Sequence, residues 1–313
     1  MPVATGKIKR ELCRIGRQFG LIEPTPNRIA KDFDAQPTQA SASARTKPRL
    51  QDDPAFLSRK KHKLDRIRSL LQDGSDFHEA EHFFDFLTAE LRAEFNIVDT
   101  ENVSSHDYDH DALHIIEDYT DGIILDCGAG LRKTYYDNVV NFEICSYATT
   151  DVRGVGERLP FRDGVFDAVF SFNVLEHVKD PFACAREISR VLKKGGRLYC
   201  VVPFLQPFHG YPHHYYNMTH MGLRNLFSDT LEIDRQDVGG GGLPIFTLTW
   251  IIQEWLNGLP PKTRLQMERM KVADFNTSPL ELLNRPFVTQ LSSEKTLQLA
   301  STTALYATKR AGD

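Results

Sequence analysis

Short apolar runs alternate with helical patterns over residues 122–203, and this alternation restricts the possible folds of the chain more than any other feature. Four of the runs read as strands, and they cover residues 122–127, 139–144, 167–172 and 197–203. Continuous apolar strands separated by helices are typical of a parallel sheet that is covered on both faces. We therefore expect an α/β domain in this part of the chain.

The first run ends in an acid and a glycine turn, Asp126-Cys127-Gly128-Ala129-Gly130. Nucleoside-type ligands bind beyond the carboxyl ends of parallel strands, where glycines let the backbone approach them closely. Glu143 ends the next run, where its carboxylate can accept both hydroxyls of a ribose. The pair predicts a cofactor with an amino-acid end and a ribose end. The turn is not a dinucleotide fingerprint, because the third glycine of G-x-G-x-x-G would fall on Lys133.

Four further segments follow in a characteristic order and spacing: residues 159–161 (LPF), 164–169 (GVFDAV), 173–178 (NVLEHV) and 190–198 (RVLKKGGRL). Together they resemble the class I S-adenosylmethionine-dependent methyltransferases, and in particular their type 11 branch. The resemblance covers about residues 120–230 and is specific as a combination. It implies a Rossmann-like, doubly wound, mostly parallel seven-stranded sheet, with a helical N-terminal extension and a helical insertion before the last strand.

The resemblance also assigns cofactor-binding residues. It implies that S-adenosylmethionine is the cofactor and that Glu143 binds its ribose. Asn173 and Val174 would form the floor beneath the sulfonium. The methionine part would be lined by Asp126, Cys127, Gly128 and Gly130.

The sequence departs from the family pattern in two places. An acid often binds the adenine amino group after the third strand, but Val155 and Gly156 stand there, so adenine would be held by packing and backbone groups. The intervals after Gly130 and after Glu143 are also too short for full helical crossovers. We expect these two covering helices to be trimmed to about a turn.

Histidines and aromatic residues are concentrated in residues 203–216, where the family binds its acceptor. A neutral imidazole can remove a proton from a hydroxyl near pH 7, and aromatic rings can surround a ring or a methyl cation. We predict His214 or His209 as the catalytic base and His177 as the next candidate. The alternative is that these histidines hydrogen-bond loop backbone.

The rest of the chain predicts a three-part organisation. Residues 1–55 form a basic, mostly disordered extension, 56–118 a helical region, and 119–313 the methyltransferase domain with a helical cap at 243–298. Apolar spacing predicts helices over residues 7–19, 181–192 and 219–227, and a helix with an aromatic stripe over residues 77–95. Residues 24–54 read as a linker, and residues 231–238 and 302–308 read as strands. Within residues 1–72 there are 16 Lys and Arg against 7 Asp and Glu, so peripheral contact with anionic lipid or nucleic acid is conceivable. A solvated extension is the favoured interpretation. The five cysteines are an odd number and widely spaced, and this pattern together with the lack of a spanning apolar run predicts a cytoplasmic protein.

The leading hypothesis is O-methylation of a small-molecule or glycan-like acceptor. One alternative is a catalytically silent S-adenosylmethionine-binding partner or scaffold. Another is an RNA methyltransferase that uses the basic N-terminus. A nicotinamide oxidoreductase is a more distant alternative. Nucleic-acid base methylation is disfavoured because residues 173–176 read NVLE and not Asn/Asp-Pro-Pro-aromatic. One group, His106, Asp107, Asp109 and His110, has metal-ligand spacing, but an acid-rich helix start explains it and no functional metal is expected.

Overall fold

A seven-stranded sheet forms the centre of the protein in a computed structural model that describes residues 50, 53–74, 77–98, 105–210 and 212–307. The strand order is β1-β2-β5-β4-β3-β6-β7, and all neighbours are parallel except the β1–β2 pair. The expected mostly parallel, Rossmann-like sheet is confirmed. The strands are β1 His78–Glu79, β2 Phe84–Asp85, β3 Ile124–Cys127, β4 Val139–Glu143, β5 Val152–Arg153, β6 Phe166–Phe172 and β7 Leu192–Val201.

Helices lie before, between and after the strands. Asp109, Asp180 and Thr219 each cap the start of a helix by accepting a backbone N–H, as such side chains do at N-caps. The helices are α1 Pro54–Arg68, α2 Ala89–Phe95, α3 His110–Asp118, α4 Pro181–Val191, α5 His220–Phe227, α6 Pro244–Asn257, α7 Pro261–Met267, α8 Val272–Phe275, α9 Pro279–Leu282, α10 Pro286–Thr289 and α11 Ser293–Gln298. The last six confirm the helices expected over residues 243–298, but no strand follows them among the described residues, so they do not form an insertion before a last strand. Within the described ranges, no helix is long and apolar enough to cross a membrane.

The central strands are buried on both faces. Ile124 and Leu125 of β3 have no exposed surface, and the two side chains point into two different apolar clusters on opposite faces of the sheet. This is why β3 reads as a continuous apolar run and does not alternate with polar residues. The carboxyl ends of β3 and β4 consequently open at the same edge of the sheet.

The connections on either side of β4 contain no helix. Residues 128–138 and 144–151 form turns and irregular backbone, which confirms the expected trimming of the crossovers. Helix α1 contacts both connections instead. Arg59 donates to the carbonyl oxygen of Tyr135 at 2.9 Å, and Lys60 Nζ donates to that of Ala148 at 2.6 Å.

A buried ion pair fixes α1 against the sheet. Lys63 Nζ lies 2.6 Å from Asp151 Oδ2, and both side chains are almost completely excluded from solvent. Asp151 also accepts a hydrogen bond from the Tyr135 hydroxyl at 2.5 Å. Burial lowers the pKa of Lys63, and Asp151 opposes that shift by favouring the charged ammonium. The basic residues of α1 therefore hold the fold together and are not simply a solvated face.

Three local expectations are wrong. The aromatic stripe at residues 77–95 was expected to be helical, but it forms the β1–β2 hairpin followed by the short helix α2. Residues 231–238 and 302–307 were expected to be strands, yet neither forms a backbone ladder. Leu231 and Ile233 pack on the core without pairing to a described strand, while Leu305 and Tyr306 are more than 90% exposed. The helix over residues 7–19 and most of the linker over 24–54 lie outside the described residues.

Asp151→Asn is expected to lower the free energy of unfolding by about 3 kcal/mol, because it leaves Lys63 as a buried group without its counter-charge. The matched control is Asp137→Asn. It removes a solvent-exposed carboxylate that pairs with Arg59, another basic residue of α1. This control should cost less than about 1 kcal/mol. Urea denaturation followed by circular dichroism measures both, and equal effects would show that the buried pair does not hold α1.

Candidate active site

The glycine turn after β3 has the backbone conformation that its sequence predicts. Gly128 and Gly130 both lie in the left-handed region, with φ of 82° and 62°. A Cβ at position 128 would lie 2.4 Å from a methyl carbon of Val174, so this close approach requires glycine. The N–H groups of Gly128 and Ala129 both donate to the Phe142 carbonyl, at 2.9 and 3.0 Å, which fixes the turn against β4.

Glu143 meets this turn from the neighbouring strand. Its Oε2 accepts the Gly130 N–H at 2.8 Å, and its Oε1 accepts the Ile144 N–H at 2.7 Å. Burial raises the pKa of Glu143, although these backbone donors oppose the shift. The two acids and the glycine turn predicted from sequence are thus gathered at the ends of adjacent strands.

Asp126 is completely buried and is already paired with side chains of the protein. Its Oδ2 accepts hydrogen bonds from Arg132 Nε at 2.8 Å and from the Tyr108 hydroxyl at 2.5 Å. Its Oδ1 is buried and has no hydrogen-bond partner among the described residues. Sequence reasoning missed Arg132 and Tyr108, since nothing local to either residue marks it as a partner of Asp126.

Asn173 and Val174 come directly after β6, and Val174 lies against the glycine turn. Asn173 has φ of 54°, and its N–H donates to the Val201 carbonyl at 2.9 Å. Asparagine is one of the few residues other than glycine that tolerates the left-handed region. This bend directs the next residue, Val174, onto Gly128.

Val155 and Gly156, which are predicted to hold the adenine, lie against the core. The Val155 side chain is buried, and a Cβ at Gly156 would lie 2.8 Å from Cys184 Sγ and 3.6 Å from Cys127 Sγ. Their side-chain positions are therefore occupied by protein. What this segment can offer to a ligand is its backbone.

The three candidate histidines are brought together. The ring centroids of His209 and His214 are 4.2 Å apart, and that of His177 lies 5.3 Å from His209 and 5.7 Å from His214. Both nitrogens of His214 are engaged, because Nδ1 accepts the His209 N–H at 3.1 Å while Nε2 faces the Tyr216 carbonyl and the Asn217 side chain. His214 therefore has no free lone pair for a substrate proton in this arrangement.

His209 and His177 differ from His214 in this respect. His209 Nδ1 lies 2.8 Å from the Pro207 carbonyl and His177 Nδ1 lies 2.5 Å from the His213 carbonyl. A carbonyl can only accept, so each Nδ1 carries the proton and each Nε2 keeps its lone pair. Desolvation lowers the pKa of His177 to about 4, which keeps this ring neutral near pH 7.

Glu176 joins this cluster, and sequence reasoning missed it. Its carboxylate is completely buried, and neither oxygen has a hydrogen-bond partner among the residues that the structure describes. Burial raises its pKa to about 8. The only signal in the sequence was its place beside His177, which is equally compatible with an exposed turn.

The acid-rich group near residue 106 is a helix start. Asp109 accepts the Ala112 N–H at 2.8 Å as the N-cap of α3, and Asp107 pairs with Lys133 at 3.1 Å. These side chains are engaged in local structure. They do not form a three-ligand cluster within the described part of the chain, where such a cluster is found at Glu176, His177 and His209 instead.

Comparison with known proteins shows that the central part of the chain is similar to methyltransferases. Residues 127–200 match the model of a methyltransferase domain family. An uncharacterized methyltransferase of Mycobacterium sp. (strain JLS) is 41% identical over 85 residues, which is 27% of this chain and 31% of that protein. A demethylmenaquinone methyltransferase of Mycolicibacterium vanbaalenii is 53% identical over 47 residues, 15% of this chain and 21% of that protein. The chain thus spans about a third or less of the length of these curated relatives.

Among solved structures, the YcgJ protein of Bacillus subtilis aligns with a TM-score of 0.32 at 19% identity, over 50% of this chain and 88% of that chain. The low score means that this alignment adds nothing to the strand order described above. The matched residues 127–200 contain β4, β5, β6 and most of β7, and they begin at the last residue of β3. This part of the chain is therefore similar to methyltransferase domains.

Gly128→Ala is expected to destabilise the protein by more than the roughly 1–2 kcal/mol of left-handed strain, because its methyl group would also displace Val174. Gly74→Ala is the matched control, since Gly74 has φ of 73° and open space around its Cβ position. Adding Val174→Ala should recover the steric part of the Gly128 effect only. Thermal unfolding of the single and double variants measures this coupling, and strict additivity would refute it.

Proposed function

We propose that this protein is an S-adenosylmethionine-dependent methyltransferase that methylates an oxygen of a small-molecule or glycan-like acceptor. The observation that carries the proposal is the unit formed by Glu143 and the glycine turn, in which Oε2 accepts the Gly130 N–H at 2.8 Å. This unit places a carboxylate from one strand beside a backbone bend from the next. Val174 closes the bend from a third strand.

The residues of this unit fit the cofactor. The buried Asp126 Oδ1 has no partner within the part of the chain that the structure describes, and it would accept from the ammonium of the methionine part, directly or through water. The bend at Gly128 and Gly130 exposes backbone that any side chain would obscure. Glu143 is only partly exposed and would accept the ribose hydroxyls, while Asn173 and Val174 would lie beneath the sulfonium and the backbone of Val155 and Gly156 beside the adenine.

The protein contributes to methyl transfer by aligning the acceptor with the methyl group and by excluding water. When bound, the cofactor supplies a methyl group on a sulfonium, which is already a good leaving group. The acceptor lone pair forms the new bond to the methyl carbon while the carbon–sulfur bond breaks and sulfur keeps its electron pair. Side chains that hold the acceptor in line and exclude water therefore account for most of the acceleration.

The acceptor is proposed to bind beside the histidine cluster. Helix α6 reaches this place, with the Trp250 ring centroid 5.3 Å from that of His209, and the Phe208 N–H donates to the Gln298 carbonyl at 3.0 Å. Helices α6–α11 would thus cover the acceptor space. The loop also exposes aromatic rings at Phe204, Phe208 and Tyr216, which suit stacking on a ring or a sugar face.

A hydroxyl acceptor must lose its proton as the new bond forms. Among the candidate bases, His209 and His177 each keep an Nε2 lone pair without a hydrogen bond to a described residue, whereas the nitrogens of His214 are committed to backbone and Asn217. This arrangement favours O-methylation over transfer to an amine that is already neutral. His214 would position the ring of His209 by accepting its backbone N–H.

One observation favours a second function, that of a silent S-adenosylmethionine-binding module. Arg132 places its guanidinium on Asp126, with Nη2 2.7 Å from Oδ2, so this carboxylate is neutralised without a ligand. A scaffold that binds cofactor needs no acceptor site. Binding without turnover on any acceptor class would support this alternative.

Glu143→Gln is expected to weaken binding of S-adenosylhomocysteine by about tenfold or more, since hydrogen bonds to a charged acceptor contribute roughly 1.5–3 kcal/mol. Glu117→Gln, on the exposed side of α3, is the control and should leave the affinity unchanged. Isothermal titration calorimetry on both variants and the unchanged protein measures the effect. If the well-folded unchanged protein has no affinity for S-adenosylhomocysteine, the cofactor assignment is contradicted.

Release of S-adenosylhomocysteine, measured with panels of hydroxylated and amino acceptors, tests the reaction itself. We expect turnover with hydroxylated acceptors, and mass spectrometry of the product should locate the methyl group on oxygen. A methylated nitrogen or carbon would keep the enzyme assignment and overturn the O-methylation proposal.

A further inference from the structure

We propose that Glu176, His177 and His209 form a binding site for one divalent transition-metal ion of the zinc type. One potential ligand atom from each residue lies within 4.8 Å of the others. Binding of the ion does not depend on the proposed function, but its role beside the acceptor does. The site stands between the end of β6 and the loop that precedes α5.

The strongest support is the unsatisfied carboxylate. Glu176 has no exposed surface, and both its oxygens lack hydrogen-bond partners within the described residues. Leaving such a group buried costs several kilocalories per mole unless something compensates it. Protonation removes the charge but adds an O–H that needs an acceptor in turn. A cation held between the carboxylate and neighbouring nitrogens would satisfy it completely.

The two histidines are oriented for the same purpose. Each donates its Nδ1–H to a backbone carbonyl, His177 to His213 at 2.5 Å and His209 to Pro207 at 2.8 Å. Metal-ligating histidines almost always donate their other ring N–H in this way, which fixes the tautomer and the ring plane. In both rings Nε2 is left with a lone pair. His177 Nε2 lies 3.7 Å from Glu176 Oε1, a separation that a shared ion bridges and a direct hydrogen bond does not.

The ligand set indicates the class of ion. Two imidazoles and one carboxylate are a common set for catalytic zinc, and they leave a coordination position open. The same set also suits ferrous iron, whereas magnesium and calcium prefer oxygen ligands. His214 supports the site from outside, since its Nδ1 accepts the His209 N–H and its ring stacks on Phe208 at 5.7 Å.

The open coordination position of the proposed ion lies near Trp250 and the glycine turn. Trp250 covers the ring of His209, and Val174, two residues before Glu176, touches the glycine turn. An acceptor oxygen that reaches the proposed methyl group would thus lie close to the ion. With the ion bound, the Nε2 lone pairs of His177 and His209 are its ligands and no longer act as bases. The ion instead favours the deprotonated form of such an oxygen, whose proton leaves to solvent, and this makes the oxygen the better nucleophile.

Metal binding is tested on the full chain without a polyhistidine tag, stripped with a chelator and titrated with Zn²⁺ in competition with a chromophoric chelator. We expect about one equivalent per chain, and the Co²⁺ form should show visible absorption bands of a low-coordinate site. Glu176→Gln and His209→Ala should each weaken Zn²⁺ binding at least tenfold. Glu176→Gln conserves side-chain volume, so it remains informative if the histidine variant folds poorly.

Two controls separate this site from other histidines. His62→Ala removes an exposed histidine on α1 and should leave the affinity unchanged. His110→Ala disrupts the pair on α3, whose Nε2 atoms lie 3.0 Å apart. The proposal fails if no stoichiometric binding occurs, or if binding survives Glu176→Gln and is lost with His110→Ala. Calorimetry with S-adenosylhomocysteine on the same samples reports on the cofactor site separately, so a failure of either proposal is recognised independently.

Discussion

The burial of one carboxylate at the centre of the sheet determines much of the surrounding structure. Asp126 is the penultimate residue of β3 and has no exposed surface, and a charge in that position requires compensation. Arg132 and Tyr108 provide it, and each brings a different segment to the strand end. The loop after β3 is thereby folded back on itself, and the segment that leads into α3 is held against the sheet.

This arrangement suits Asp126 to the cofactor-binding role that we propose. One oxygen is paired with protein donors, while the other is buried and has no hydrogen-bond partner among the described residues. Protein donors and a bound cofactor can thus share one carboxylate without competing for the same oxygen. Glu143 repeats the pattern on the next strand, where backbone N–H groups orient the carboxylate and leave its remaining lone pairs for a ligand.

The shortened crossovers have a structural consequence beyond the site. A doubly wound sheet normally covers its faces with the helices between its strands. Here the connections around β4 are loops, and α1 packs on them through Arg59, Lys60 and Lys63. Desolvation lowers the pKa of Lys60 to about 8, which shows how far this basic helix is drawn into the protein. A segment that composition alone suggests is solvated therefore supplies part of the covering layer.

The sequence alone determined the parallel sheet, the position of the glycine turn, the two strand-end acids and the helices that follow β6, because these depend on local periodicity and on residues adjacent in the chain. The absence of strands at residues 231–238 and 302–307 was not predictable in that way, since a strand needs a partner and the pairing is decided by the whole sheet.

Only the tertiary structure decided which polar groups meet. Glu176 and His209 lie 33 residues apart, yet the loop after β7 brings them to one cluster. Arg132 follows a glycine turn that could have directed its guanidinium to solvent, but it points to Asp126 instead. Such contacts depend on backbone dihedrals and side-chain directions summed over many residues, and no spacing along the chain encodes them.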